Sequence, residues 1–256
     1  MRESGRKYWE NFWTQKKDPS KIYDNSGRTP QALFEIMSDV KGFRVLEVGA
    51  GTGRDSFTIA EAGAQVFVLD YADAALDIIE LLNSQNQAKV IPVQGDAFAL
   101  PFPDNSFDIV FHQGLLEHFR DPWGIVRENF RILKPGGIAI IDVPQRWHIY
   151  TVVKHLLIAL NSWFAGWETE FSLRQLSGKL KEHGFETIAF YGDWMYPCFC
   201  YRVLREILWK IGIHLPLYPP RIPLLWRIRR AIREKMRKTK FGANTAVSIG
   251  LIVRKQ

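Results

Sequence analysis

Seven short runs rich in apolar and β-branched residues punctuate this chain, at 43–48, 65–69, 89–93, 109–112, 138–143, 185–191 and 245–253. Each reads as a strand. Between most of them, apolar residues recur three and four apart, as on one face of a helix; the segment 73–85 places Leu76, Ile78, Ile79 and Leu82 on one side. Strands alternating with helical segments describe βαβ units and hence a mostly parallel sheet. The first run is apolar on both faces apart from Arg44 and Glu47, which suits a strand covered on both sides.

Local signals fix the ends of several helices. Thr29 followed by Pro30 predicts an N-cap and first helical residue for a helix reaching about residue 39. Asp121-Pro122 opens another that runs to about residue 133, and the stretch 134–137, with Pro135, Gly136 and Gly137, breaks it. Ser172 and Gln175 have the spacing of a capping box, for a helix ending near Gly184.

Three segments exceed what such a core needs. Residues 1–27 carry Tyr8, Trp9, Phe12, Trp13 and Tyr23, and read as a short helix and loop before the core, with the aromatics packing the sheet edge as one reading. Residues 147–170 place Val152, Val153, Leu156, Leu157, Leu160, Trp163 and Phe164 at helical spacing. Residues 194–242 lie between the last two strands, where a hairpin needs only a few residues. There Val203, Leu204, Ile207, Leu208 and Ile211 form one helical stripe and, beyond a proline-rich break at 216–223, Leu225, Ile228, Ile232 and Met236 form another.

Composition is that of a globular chain: 256 residues, 46% hydrophobic and 24% charged, enough for one sizeable core. The net charge of +7 is concentrated late: residues 202–240 hold twelve Lys/Arg against two Asp/Glu, leaving the remainder slightly acidic. The late helix is therefore basic and amphipathic. Three readings stand for it: peripheral contact with an anionic membrane, packing on the core or against a second copy in a homodimer, and nucleic acid, which is disfavoured because no binding module accompanies it. Cys198 and Cys200 are too close in sequence for a natural disulfide, and no metal-ligand set accompanies them. The first residues lead into no apolar signal core, and Lys154, His155 and Asn161 interrupt the longest apolar stretch, so a cytoplasmic chain, peripheral at most on the inner membrane face, is expected.

The candidate chemistry starts where the first strand ends. Gly49, Gly51 and Gly53 follow Glu47 at every second residue and lead into a helix. A dinucleotide fingerprint would need its third glycine at position 54, which is Arg54. A carboxylate at the strand end repels a pyrophosphate and suits a ligand with an ammonium group. The motif E-x-G-x-G-x-G over 47–53 resembles the first motif of the class I S-adenosylmethionine-dependent methyltransferases. The later strings LPFPDNSFDIV (100–110) and LLEHFRDP (115–122) closely resemble the type 11 branch of that family. The resemblance covers about residues 43–145.

The resemblance implies a doubly wound, Rossmann-like α/β sheet of seven strands, with the last strand antiparallel and inserted between the fifth and sixth. It implies one methyltransferase domain over 1–256, with 1–40 as cap helices and the insertions 147–170 and 194–242 as an acceptor-side lid. S-adenosylmethionine would be held by Glu47, Gly49, Ala50, Gly51, Gly53, Asp70, Tyr71, Asp96, Ala97 and Gln113. Asp70 ends the second strand, where a carboxylate accepts hydrogen bonds from ribose hydroxyls. Residues after the fourth strand face the transferred methyl group. His112 there is a candidate general base. His118 matches a residue common to the branch and reads more readily as a helix-start hydrogen bond, while Gln145, Arg146 and His148 follow the fifth strand at the same mouth. His112 and His148 are the expected catalytic residues, with no metal. The expected acceptor is small or lipid-like: a quinone precursor, a lipid or a lipid-linked sugar, methylated on oxygen or carbon. The alternatives are a soluble sugar or metabolite acceptor, and a non-catalytic cofactor binder docked on a membrane.

Overall fold

A computed structural model of the protein describes residues 5–15, 27–161, 163, 167–220 and 222–256. Tyr23 and Phe164, two of the aromatics noted above, lie outside the described residues. The chain begins with α1 (Arg6–Gln15) and α2 (Arg28–Ile36). It then alternates β1 (Arg44–Val48), α3 (Arg54–Glu61), β2 (Gln65–Asp70), α4 (Asp73–Gln85), β3 (Ile91–Gln94), β4 (Phe107–Gln113), α5 (Trp123–Ile132) and β5 (Leu133–Pro144). After β5 come α6 (Ile149–Ala159), α7 (Leu173–Glu182), β6 (Phe185–Asp193), α8 (Phe199–Lys210), α9 (Pro223–Arg237), α10 (Lys240–Thr245) and β7 (Ser248–Lys255).

The strands form one sheet in the order β3-β2-β1-β4-β5-β7-β6. The first five are parallel, and β7 runs antiparallel between β5 and β6, as the resemblance implies. The pleat of β1 explains the two-faced core. Leu46 and Val48 point into a cluster with Ile125 and Val126 of α5 and Leu176 and Leu180 of α7. Val45 points the other way, among Leu33 of α2, Ile59 of α3 and Ile79 of α4. Burying one such aliphatic side chain stabilises the fold by about 1.5–3 kcal/mol, so the two clusters dominate its cohesion.

The structure departs from the sequence expectations at three places that matter. The cap of α2 is Gly27, at φ 91°, not Thr29. Thr29 is fully buried within the first turn and its hydroxyl donates to Gln113 Oε1 at 3.4 Å. Second, the Pro135-Gly136-Gly137 stretch does not end the helix before a later strand. It belongs to β5, and a register shift against β4 between Phe107 and Ile109 absorbs the extra residues.

Third, α9 presents its apolar stripe outward. Leu225, Ile228 and Ile232 are exposed, whereas Trp226, Arg229, Arg233 and Met236 are half-buried and Arg237 is buried. Directed polar contacts set this rotation. Arg233 donates to Asp193 Oδ1 at 2.9 Å, Arg237 donates to Glu35 Oε1 at 2.6 Å, and Arg229 lies 4.9 Å from the centre of the Tyr196 ring. The capping box of α7 forms as expected, with the Gln175 N–H donating to Ser172 Oγ at 3.2 Å.

Candidate active site

The strand order reverses between β1 and β4, and a crevice opens there beyond the carboxyl ends of the strands, the usual ligand site of an open α/β sheet. The glycine turn after β1 forms its floor. The N–H groups of Gly49 and Ala50 both donate to Leu69 O, at 2.8 and 3.1 Å, which ties the turn to β2. Gly51 sits at φ 55°, and a Cβ there would lie 2.6 Å from the Trp13 ring. Only glycine combines that backbone with that approach.

Asp70 fastens the turn from below. Its Oδ2 accepts from the Gly51 N–H at 2.9 Å and its Oδ1 from the Ala72 N–H at 3.0 Å, and the side chain is buried. Burial raises the Asp70 carboxyl above the ordinary range, against the pull of those N–H groups. Glu47 stands beside it, accepting from Ser56 Oγ at 2.6 Å. Burial, and then the charge of Asp55, push its carboxyl up to about 8.

Among the described residues, the carboxyl groups of Glu47, Asp55, Asp70 and Asp96 line the crevice together with one arginine, Arg54. That donor set fits a cationic ligand and disfavours a phosphate. It also carries a pH signature. The folded state keeps the Glu47 proton up to about 8, whereas the ordinary value is 4.5. Glu47 therefore contributes stability that is complete below 4.5 and is lost as pH rises through 8. Glu47→Gln is expected to flatten that decline, seen as urea midpoints that differ less between acid and mildly alkaline buffer than those of the parent. Equal slopes for the two proteins would contradict the assignment.

The opposite wall comes from α1. Trp9 and Trp13, four apart on one helix face, both line the crevice. The helix is docked on the start of α4: Glu10 Oε1 accepts from the Ala74 N–H at 3.1 Å, and Arg6 pairs with Asp73 at 3.3 Å. Phe98 and Phe119, in edge-to-face contact at 5.0 Å, close the third side. The resulting cavity is about 360 Å³.

Of the residues singled out from sequence, Glu47, Gly49, Ala50, Gly51, Asp70, Tyr71, Asp96, Ala97 and Gln113 line this cavity together. Gly53 does not line it and instead caps α3 at φ 62°. The two expected catalytic histidines are not there. His112 is fully buried in β4, neither ring nitrogen has a hydrogen-bond partner among the described residues, and burial lowers its pKa to about 3. It does not line the crevice. His148 caps α6, its Nδ1 accepting from the Tyr150 N–H at 3.0 Å, and it lines a separate cavity beside Trp194. Gln145 is buried and donates to Asn244 O at 2.9 Å, and Arg146 is exposed; neither lines the crevice.

His118 does face the cavity, from the short 3-10 turn Leu116–His118. Its ring meets Trp9 edge-on at 4.7 Å, and its Nδ1 lies 3.9 Å from Glu168. Burial lowers its pKa to about 4, so the imidazole is neutral near pH 7. Behind it, Lys154 is fully buried and pairs with Glu168 at 3.0 Å and Glu170 at 2.6 Å. The spacing of Trp9 and Trp13 was the available sequence signal for the roof. His118 had one as well, in its place after β4.

A family model for a methyltransferase domain of type 11 matches residues 46–141, which span the glycine turn, Asp70, Asp96 and His118. These residues form a type 11 methyltransferase domain. Domains of this kind are class I S-adenosylmethionine-dependent methyltransferases. Over 114 residues, 44% of this chain, the sequence is 35% identical to a demethylmenaquinone methyltransferase of Renibacterium salmoninarum, and the match takes in 46% of that protein. The chain spans about half the length of the curated relatives it matches. Among solved structures, an S-adenosylmethionine-dependent methyltransferase from Mesorhizobium loti superposes with a TM-score of 0.57 at 15% identity, covering 88% of this chain and 96% of that one. The [4+2]-cyclase SpnF superposes with a TM-score of 0.56 at 21% identity, covering 91% and 85%. At such identities these structures share the fold of the methyltransferase domain; chemistry has to be argued from the site. The cap α1 and everything after β5 lie outside the matched domain.

Proposed function

We propose that the protein transfers the methyl group of S-adenosylmethionine to a lipid-like acceptor. The observation that carries this reading is the cavity itself: a glycine turn held by Asp70, lined by four carboxylates and roofed by two tryptophans. When bound, S-adenosylmethionine supplies an electrophilic methyl group on a sulfonium. The residues of the chain bind and orient it. The open turn at Gly49–Gly51 admits the amino-acid part close to backbone, and Glu47, which otherwise keeps its proton up to about 8, releases it beside the ligand's ammonium and then offsets that charge. Asp70 receives the ribose hydroxyls on the lone pairs that the Gly51 and Ala72 N–H groups leave free. Asp96 and Ala97 meet the base, with Phe98 as its wall. Trp9 and Trp13 exclude water.

His118 replaces His112 as the group set to take a proton from the acceptor. It faces the cavity with Glu168 3.9 Å from its Nδ1; burial holds its pKa at about 4, so it takes that proton only when the acceptor's own acidity rises as the methyl group is transferred. The likeness to demethylmenaquinone methyltransferases and the outward apolar residues of the insertions favour a hydrophobic acceptor. Trp147 and Leu156 near or on α6, Ile207 on α8 and Ile228 on α9 are all exposed, beside exposed Lys210, Arg227 and Lys235. Apolar side chains flanked by cations match an anionic membrane surface. No helix among the described residues is long and apolar enough to cross one.

The test is transfer from radiolabelled S-adenosylmethionine into a lysate of the source cell, followed by phase partition, with sedimentation on phosphatidylglycerol vesicles in parallel. Label in the organic phase, lost in His118→Ala, and salt-sensitive sedimentation are expected. Label confined to the aqueous phase would remove the lipid reading, and vesicle binding that ignores lipid charge would remove the electrostatic one.

A further inference from the structure

A second cavity, of about 680 Å³, lies between α9, the start of α2 and the end of β6. Strand register places it. Asp193, at the end of β6, pairs with Ser248, and Ser248 pairs with Pro144 at the end of β5. The cavity therefore opens at the same end of the sheet as the glycine turn. The first residues of α2 stand between the two. The Gly27 N–H donates at 2.6 Å to Asp55, which lines the first cavity, while Gly27 and Arg28 line the second.

Its wall is built of arginines and aromatic rings. Arg28, Arg229, Arg230, Arg233 and Arg237 line it, against the carboxylates of Asp193 and Glu234. Three of the arginines are already matched: Arg28 to Asp142 at 2.9 Å, Arg233 to Asp193 at 2.9 Å and Arg237 to Glu35 at 2.6 Å. Arg229 and Arg230 have no carboxylate partner among the described residues. Arg229 instead lies on the Tyr196 ring, which also stacks on Tyr218 at 6.0 Å and meets Trp226 edge-on at 4.8 Å. Arg233 titrates below its ordinary range because it is buried, and Arg229 beside it adds to that lowering. On this helix Arg229, Arg233 and Arg237 turn inward while Arg230 is exposed at the rim, so positive charge beyond what Asp193 and Glu234 offset gathers in a concave space and favours an anion there.

We infer that this cavity binds a phosphoryl group, with Arg229 and Arg230 as its ligands and the Tyr196, Tyr218 and Trp226 rings against the apolar or sugar-like remainder of the molecule. Guanidinium groups pair with phosphate oxygens two at a time, and rings beside them are suited to the uncharged part. The site deepens the proposed function by giving the acceptor an anionic anchor near the methyl-transfer crevice, and it rests on that reading only for the identity of what is anchored. The phosphoryl group can be free or part of a lipid headgroup.

The test titrates inorganic pyrophosphate, and separately phosphatidylglycerol vesicles against phosphatidylcholine vesicles, into three proteins. These are the parent, Arg229→Gln/Arg230→Gln, and Arg227→Gln/Lys235→Gln, which removes two charges from exposed positions of the same helix. S-adenosylmethionine binding is measured on each sample, so failure of the methyltransferase reading shows separately and a misfolded variant is recognised. Pyrophosphate binding that weakens about tenfold or more in the cavity variant and not in the control assigns a free phosphoryl ligand. Vesicle binding with the same selectivity, without pyrophosphate binding, assigns a headgroup. If cavity and control variants behave alike toward both probes, including binding by neither, the site is overturned.

Discussion

Asp70→Ala is expected to lower the affinity for S-adenosylmethionine by roughly a hundredfold or more. Two effects add. Charge-assisted hydrogen bonds to the ribose would be lost, each worth about 1.5–3 kcal/mol. The turn would also lose its fastening, since Asp70 receives the N–H groups of both Gly51 and Ala72. Those buried donors would be left without partners, at a further cost of about 1–3 kcal/mol each in fold stability. Equilibrium dialysis gives the first effect and urea unfolding the second. Asp70→Asn separates them: its carbonyl oxygen can still receive one N–H, so it should regain part of the stability while remaining poor at binding. A variant that unfolds as easily as Asp70→Ala but binds normally would refute the ribose role.

The largest effect on stability is expected at Lys154. Its ammonium is fully buried between Glu168 and Glu170, and His155 Nε2 lies 2.7 Å from Glu170. Burial alone would lower the Lys154 pKa, but the two carboxylates outweigh it and hold it above the ordinary value. Glu117 lies close by, and burial, with the charge of Glu168, holds its carboxyl well above the usual range, so it adds no charge near neutral pH. Lys154→Met would strand two buried carboxylates, a loss of about 3–5 kcal/mol, or roughly 10 °C in melting temperature. The deficit should shrink as pH falls and the stranded groups take up protons. Adding Glu168→Gln and Glu170→Gln to Lys154→Met should recover most of it, because neutral groups no longer need the cation. A melting temperature unchanged in Lys154→Met would mean that water reaches the cluster.

These two sites differ in how far the sequence revealed them. The glycine spacing, the acid before it and the acid about twenty residues later are a backbone requirement written in residue types. The alternation of strand and helix likewise pointed to a mostly parallel sheet, and the antiparallel β7 came from the family resemblance. Burial direction was harder to read. In β4 both faces are covered, so alternation does not say which residue at its end opens to the crevice. His112 points into the core, and Gln113, the next residue, lines the cavity. In α9 the apolar stripe was evident, yet ion pairs to Asp193 and Glu35, from distant parts of the chain, turned that stripe outward. The Lys154 cluster joins residues fourteen and sixteen apart across an insertion, with no spacing that marks them as partners.

In the proposed function the crevice between the glycine turn and α1 holds S-adenosylmethionine. The most direct measurement is calorimetric titration of S-adenosylmethionine into the parent protein, Asp70→Ala and Arg229→Gln/Arg230→Gln. One molecule bound per chain of the parent is expected, with binding abolished or much weakened in Asp70→Ala and unchanged in the arginine variant. No binding to the folded parent, or equal binding by the parent and Asp70→Ala, would contradict it.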